Sequence, residues 1–414
     1  MTLLTSLAPE VDAVAVGFDP QRLARLDDYL DAFVASGQQK GSLVVLTRHG
    51  KIAHVSSCGY RDEAAGLPVE PDTIWRIFSM TKPITSVAAL MLYEEGALSL
   101  FDPVAKYIPA FERVRVYRKG SAAACITAPA AEPMLVWHLM THTSGMTYEF
   151  MFNHPVDEMY RNAGFMLGQA ENYTLEEACD RWAAIPLLFE PGTAWNYSHA
   201  TDVLGRIVEL VSGQSLDEFF AARIFQPLGM RDTGFWVSSE SDRRRVGVLY
   251  SLNPKTGEIQ PTPATVARER PMFLAGGHGL VSTAADYHRF SQMLLRRGEL
   301  DGVRLLAPLT VDMMTSNHLP GGATITSSFA RTLGTGVSNE GRGFGLGVAP
   351  LVDPIAAKTL APAGEYFWGG AARTLFWVDP AHDLTALFFT QVFFGPDEIW
   401  TTLRRLVYQA LIDA

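Results

Sequence analysis

Ser79-Met80-Thr81-Lys82 sets a hydroxyl and an amine three residues apart at the start of a run that reads as a helix. Residues at that separation share one helix face, so the amine can reach the hydroxyl. Backbone amides and the positive dipole end at a helix N-terminus favour negative charge developing on a serine oxygen. A lysine desolvated in such a place loses proton affinity and can accept the serine proton. The chemistry on offer is nucleophilic attack by Ser79, with Lys82 as its base. The same four residues equally describe a helix-capping serine beside an exposed lysine. Two details bear on the choice. Pro83 is tolerated only in a first helical turn, which puts Ser79 at the entrance. The run after Lys82 is apolar, through Ile84, Val87, Ala88, Leu90 and Met91.

Other reactive residue types offer less. His138 and His142 have the i, i+4 spacing of a zinc pair, but no Glu stands between them as a metalloprotease helix requires. No metal and no other cofactor is expected. Cys58, Cys125 and Cys179 follow no disulfide or metal spacing, which fits reduced thiols in a cytoplasm. No Gly-x-Ser-x-Gly elbow occurs, which argues against an α/β-hydrolase. The 414 residues, 48% hydrophobic and 19% charged, suit a packed chain of one large two-lobed domain or two to three conventional ones. The net charge of −10 is spread without a basic block, so nucleic acid is not an expected partner. No run of about 18 apolar residues offers a membrane span. The first 20 residues hold no Lys or Arg and include Glu10, Asp12 and Asp19, unlike a secretory leader. A cytoplasmic location is expected; the oligomeric state is not legible.

The elements that must carry Ser79 and Lys82 can be sketched. Asp19 caps an opening helix with Pro20 at its first position, Leu23, Leu26, Leu30, Phe33 and Val34 on one face, and Gly37 at its end. Two β-rich runs, 42–47 and 51–56, join through Arg48-His49-Gly50 as a hairpin. Residues 74–78 lead into a helix over 79–93, closed by Gly96. From 98 to about 340, helical stretches such as 174–184, 200–212 and 284–296 alternate with Gly/Pro-rich connections. The Ala-rich stretch 121–131, broken by Pro129, reads as a loop. Strands return at 373–378 and 385–392, joined by 379–383, and a last helix spans 396 to about 412. The implied fold class is α/β (α+β): a mostly antiparallel sheet built from both termini, flanked by helices, with an inserted mainly helical domain. The expected division is 1–95 plus about 335–414 for the α/β domain. The helical domain takes about 96–334, part of which can return to the sheet.

Four further segments follow Ser79-x-x-Lys82 in order. They are His138-Leu139-Met140-Thr141-His142-Thr143-Ser144-Gly145, Pro191-Gly192-Thr193-Ala194-Trp195-Asn196-Tyr197-Ser198, the glycine-rich run 276–284, and Gly343-Phe344-Gly345-Leu346-Gly347. Together they resemble the serine β-lactamase and penicillin-binding-protein superfamily over roughly 23–410, most closely its class C-like members and related esterases. The resemblance implies the β-lactamase/transpeptidase-like fold. Trp368-Gly369-Gly370 stands where β-lactamases and peptidases of the superfamily carry Lys-Thr-Gly, and is typical of family VIII carboxylesterases. The literal Lys255-Thr256-Gly257 lies far upstream in Asn253-Pro254-Lys255-Thr256-Gly257-Glu258, which has the chemistry of a tight turn.

The resemblance implies roles. Ser79 attacks an ester carbonyl while Lys82 and Tyr197 together move its proton, giving an acyl-enzyme, with the principal base left open. The backbone N–H groups of Ser79 and Ala371 form the oxyanion hole. Trp368, Gly369, Gly370 and Tyr148 bind substrate, the glycines by letting the strand backbone approach it. An indole in place of the superfamily's lysine cannot hold a substrate carboxylate, which implies neutral, small-molecule ester substrates of short chain length. His138 and His142 are structural, and His199 is open to a substrate-facing role. The readings left standing are a carboxylesterase, a β-lactamase or D,D-peptidase, an acyltransferase on the same acyl-enzyme, and a non-catalytic binding protein on the same fold.

Overall fold

His49 and Gly50 both adopt positive φ (51° and 69°), the two-residue turn whose twist suits a β-hairpin. They join strands Gly41–Arg48 and Lys51–Asp62, with Arg48 opposite Lys51. The computed structural model describes residues 7–166, 172–253, 255–325, 340–393 and 398–413. Gly41–Arg48 is buried along its length because its second edge pairs with Leu384–Phe389, from the far end of the chain. Among the described residues the sheet has seven strands, in the order Ala349–Pro350, Tyr366–Gly369, Leu375–Asp379, Leu384–Phe389, Gly41–Arg48, Lys51–Asp62, Leu67–Pro68. Every neighbouring pair is antiparallel.

Alternation along the strands supplies two helix-covered faces. Val44, Leu46, Ala386 and Phe388 pack with Leu23, Leu26 and Leu30 of the first helix, Pro20–Ala35, and with Leu403 and Val407 of the last, Ile399–Tyr408. Leu43, Val45, Leu387 and Phe389 share the opposite core with Ile84 and Val87 of helix Thr81–Glu94 and with Tyr287, Phe290 and Met293 of helix Ala284–Leu295. Thr81–Glu94 is buried from Thr81 to Leu92, and Ala200–Ser212 packs against it. The fold is thus the expected one, a mostly antiparallel sheet drawn from both termini and flanked by helices.

Local expectations needed correction. The stretch 121–131 contains a strand, Cys125–Pro129, paired with Arg115–Gly120; a partner edge overrides weak propensity, and Pro129 sits at the strand end. The expected strand at 373 begins at Leu375, because Arg373 has φ 69°, outside the β region. The expected strand 385–392 divides at Thr390 and Gln391, and Val392–Phe393 pairs parallel with Tyr250–Leu252 outside the main sheet. Pro396, the expected start of the last helix, lies outside the described residues. Lys255-Thr256-Gly257 falls between the paired strands Tyr250–Leu252 and Ile259–Pro261, with Gly257 N–H donating to the Asn253 carbonyl at 2.9 Å.

Candidate active site

Phe78–Met80 forms a short 3-10 turn that runs into helix Thr81–Glu94, with Pro83 in the first helical turn. Phe78 takes φ 44°, a left-handed conformation that a bulky side chain rarely adopts and that surrounding structure must enforce. The turn is pinned from several sides. Tyr287 donates to the Met80 carbonyl at 2.8 Å, Thr81 accepts from Leu280 N–H at 3.2 Å, and Thr374 donates to the Ile77 carbonyl at 3.4 Å. Ser79 remains half-exposed at this site, while Lys82 is fully buried.

Lys82 Nζ lies 3.2 Å from Ser79 Oγ and donates to the Gly277 carbonyl at 2.8 Å. Burial pushes its pKa down to about 7, against an opposing pull from the Asp202 carboxylate. Tyr197, also buried, stacks its ring 4.5 Å from the same Nζ, and its hydroxyl faces Ser79 and the Trp368 indole. Burial drives that phenol the other way, well above its ordinary value. Tyr148 sits 5.4 Å from Nζ by its ring centre and 5.2 Å from Tyr197. Trp368, on strand Tyr366–Gly369, lies 5.4 Å from Tyr197 and 5.2 Å from Phe344. Residues from four separated segments therefore meet around one amine.

The glycines of Trp368-Gly369-Gly370 are required by packing within the protein. A Cβ on Gly369 would run into the Trp400 ring, and one on Gly370 into the Ile77 carbonyl and the Thr374 hydroxyl. Their missing side chains let the strand seat against the last helix and against the turn that carries Ser79. The turn that follows is held by Gly370 N–H donating to Thr374 O at 2.8 Å, and Ala371 packs near Phe78.

Sequence reasoning missed the layer behind Lys82. Asp202 Oδ1 accepts from Gly277 N–H at 2.7 Å, and Asp202 Oδ2 lies 3.3 Å from His199 Nδ1. His199 Nε2 lies 2.9 Å from Glu149 Oε2. His199 is buried with a carboxylate on each ring nitrogen, so it does not face substrate. The available signal was Asp202 itself, an acid among Ala200, Val203, Leu204 and Ile207 on a helix face that reads as core. His138 and His142 part company: His138 accepts from Leu135 N–H at 3.1 Å, while His142 pairs with Ser198 at 3.1 Å and stands 4.9 Å from the Tyr197 ring. Among the described residues, no cluster of His, Cys, Asp and Glu could hold a metal ion, and no helix is long and apolar enough to cross a membrane.

The Beta-lactamase family profile matches residues 26–409. The chain belongs to the Beta-lactamase family. Within that family, Esterase EstB of Burkholderia gladioli is 34% identical, over 97% of this chain and 99% of its own. An uncharacterized protein of Mycobacterium tuberculosis is 35% identical over 86% of each chain. The solved structure of EstCE1, described as a hydrolase with promiscuous acyltransferase activity, superposes with a TM-score of 0.77 at 27% identity. That superposition covers 94% of this chain and 99% of EstCE1. This member of the family is a serine hydrolase.

Proposed function

We propose that this serine hydrolase is a carboxylesterase of the family VIII type, cleaving neutral, short-chain esters through an acyl-enzyme on Ser79. The observation that carries the reading is a fully buried amine, 3.2 Å from a half-exposed serine hydroxyl, whose pKa is brought down to about 7. At neutral pH a large fraction of such an amine is unprotonated and can accept a proton. Ser79 Oγ bonds to the ester carbonyl carbon as its proton passes to Lys82 Nζ. The oxyanion so formed is held by the backbone N–H groups of Ser79 and Ala371. Collapse breaks the bond to the alkoxy oxygen, which leaves as alcohol with a proton from Tyr197, itself resupplied by Lys82. Water then attacks the acyl-enzyme by the reverse set of transfers.

The assignment of Lys82 as base and Tyr197 as donor follows from their opposite responses to burial, which favours the neutral form of each. Neutral esters are favoured because the aromatic rings of Tyr148, Tyr197 and Trp368 surround the amine and hydroxyl, and an indole stands in place of a cation. Ester turnover of p-nitrophenyl acetate, butyrate and octanoate, beside nitrocefin, tests the reading in wild type and Ser79→Ala. Fast ester cleavage that vanishes in Ser79→Ala, with little nitrocefin cleavage, is expected. Turnover surviving in Ser79→Ala overturns the mechanism, and nitrocefin outrunning the esters moves the chain to the β-lactamase reading. The description of EstCE1 supports a second outcome at the same acyl-enzyme, interception by an alcohol. Product analysis with added alcohol would measure it.

A further inference from the structure

Behind Lys82 lies a buried charged cluster that the acyl-transfer steps do not use. Asp202 bonds the Gly277 N–H, Gly277 O receives Lys82, and His199 bridges Asp202 to Glu149. Less than a tenth of each of these three side chains is exposed, and Asp202 is completely enclosed. A neutral imidazole has one N–H and can donate to only one carboxylate. Burial opposes charge on His199, yet the Asp202 and Glu149 carboxylates prevail and raise its pKa. Burial likewise opposes charge on those carboxylates, and the His199 hydrogen bonds hold both below their ordinary values. With two carboxylates around one imidazole the trio is anionic in either protonation state of His199, and it is capped by the Trp182 ring stacked 4.4 Å from His199.

We propose that Glu149, His199 and Asp202 are positioning residues for Lys82, an enclosed anionic triad that anchors its amine through Gly277 and supplies the counter-charge for its protonated form. This role rests on Lys82 being the base for Ser79. An ammonium in so enclosed a place needs a partner charge, since burial otherwise expels its proton. Asp202 provides that charge. The contact is geometrically tight: a Cβ on Gly277 would stand 2.7 Å from Asp202 Oδ2, so the peptide that receives Lys82 is pressed onto the carboxylate. Other ionisable groups face the cluster, and the His278 imidazole favours charge on both Asp202 and Glu149. Burial keeps His142 neutral, and keeps Tyr148, Tyr197 and the Cys179 thiol protonated. His278 Nδ1 stands 4.0 Å from Asp202 Oδ1, and Arg206 is engaged by Glu176 and Glu209.

The test is the acid limb of the kcat/KM profile for p-nitrophenyl butyrate, which reports the proton that must leave Lys82 before attack. Asp202→Asn keeps an acceptor for Gly277 N–H but removes the charge, so the limb should move to lower pH by about one to two units. Glu149→Gln, more remote, should move it the same way by less, and serves where Asp202→Asn fails to fold. Thermal unfolding is followed in parallel. Loss of thermal stability with the limb unmoved in the folded variants overturns the proposal, as does a shift to higher pH. Ser79→Ala separates the two claims. Residual turnover there refutes the acyl-enzyme reading, whereas Ser79-dependent turnover with unmoved limbs refutes the triad's role alone.

Discussion

Tyr197→Phe separates the two candidate proton carriers. Phenylalanine keeps the ring contacts of Tyr197 with His142 at 4.9 Å, Tyr148 at 5.2 Å and Trp368 at 5.4 Å, so the packing around the site is retained. The stability change should be within about 1 kcal/mol, the usual net worth of one hydroxyl's hydrogen bonding. Lys82 still stands 3.2 Å from Ser79 Oγ, so attack keeps its base. What disappears is the proton for the departing alcohol. Positioned acid–base assistance contributes ~10²–10⁴-fold, about 3–5 kcal/mol of barrier. An alkyl ester needs that proton; p-nitrophenolate leaves without it. The pre-steady-state burst of p-nitrophenol from p-nitrophenyl butyrate should therefore stay within about tenfold of wild type, while turnover of ethyl butyrate falls by ~10²–10⁴-fold. A burst slowed by the same factor as ethyl butyrate turnover would mean that Tyr197 takes the Ser79 proton, and the assignment to Lys82 would be wrong.

Three further outcomes follow from the same geometry. Lys82→Met should abolish the burst and also flatten the pH dependence of stability. With Lys82 at about 7 in the fold against an ordinary 10.5, the unfolded chain holds the extra proton between those values. The penalty is full below about pH 7 and gone above about 10.5, a difference on the order of 4–5 kcal/mol that urea titrations across this range should find in wild type and not in the variant. Gly369→Ala drives a methyl into the Trp400 ring, which is fixed by its N–H to Arg373 O at 3.0 Å. It should cost about 1–3 kcal/mol in thermal unfolding and lower kcat as the strand shifts; an unchanged Tm would refute the packing role. Trp368→Ala removes an aromatic wall and should raise KM for the butyrate ester about tenfold, and an unmoved KM would take Trp368 out of the substrate pocket.

The Ser79–Lys82 pair was legible because its signal is local: helical spacing, a proline confined to the first turn, and an apolar run that buries the amine. Ala200–Ser212 was legible for the same reason, and its bounds match the expected ones. The triad behind Lys82 was not legible, because Glu149, His199 and Asp202 come from two segments and become a unit only when His199 packs under Trp182. The glycines at 369 and 370 were noticed for close approach, but their packing against Trp400 was not legible, since Trp400 lies on a helix whose docking no local pattern reveals. Arg373 illustrates the limit from the backbone side. Its residue type permits a strand, and only the tertiary turn that presents Ala371 forces φ to 69°.

One physical effect accounts for most of the proposed chemistry. Burial disfavours charge on whatever it encloses, so the same enclosed site lowers the proton affinity of Lys82 and raises that of Tyr197. An amine that readily accepts a proton then stands beside a phenol that is reliably protonated, a separation of roles that arises without either residue being unusual in itself. Left unopposed, the effect would overshoot: a lysine stripped of proton affinity would stand unprotonated but be too weak a base to draw a proton from serine. Asp202 opposes it from within the same enclosure, and its carboxylate is in turn kept charged by His199. The poise of Lys82 near neutrality is therefore a balance between desolvation and one fixed anion. On that view, the pH of half-maximal activity should follow the charge of Asp202 far more closely than the identity of the ester.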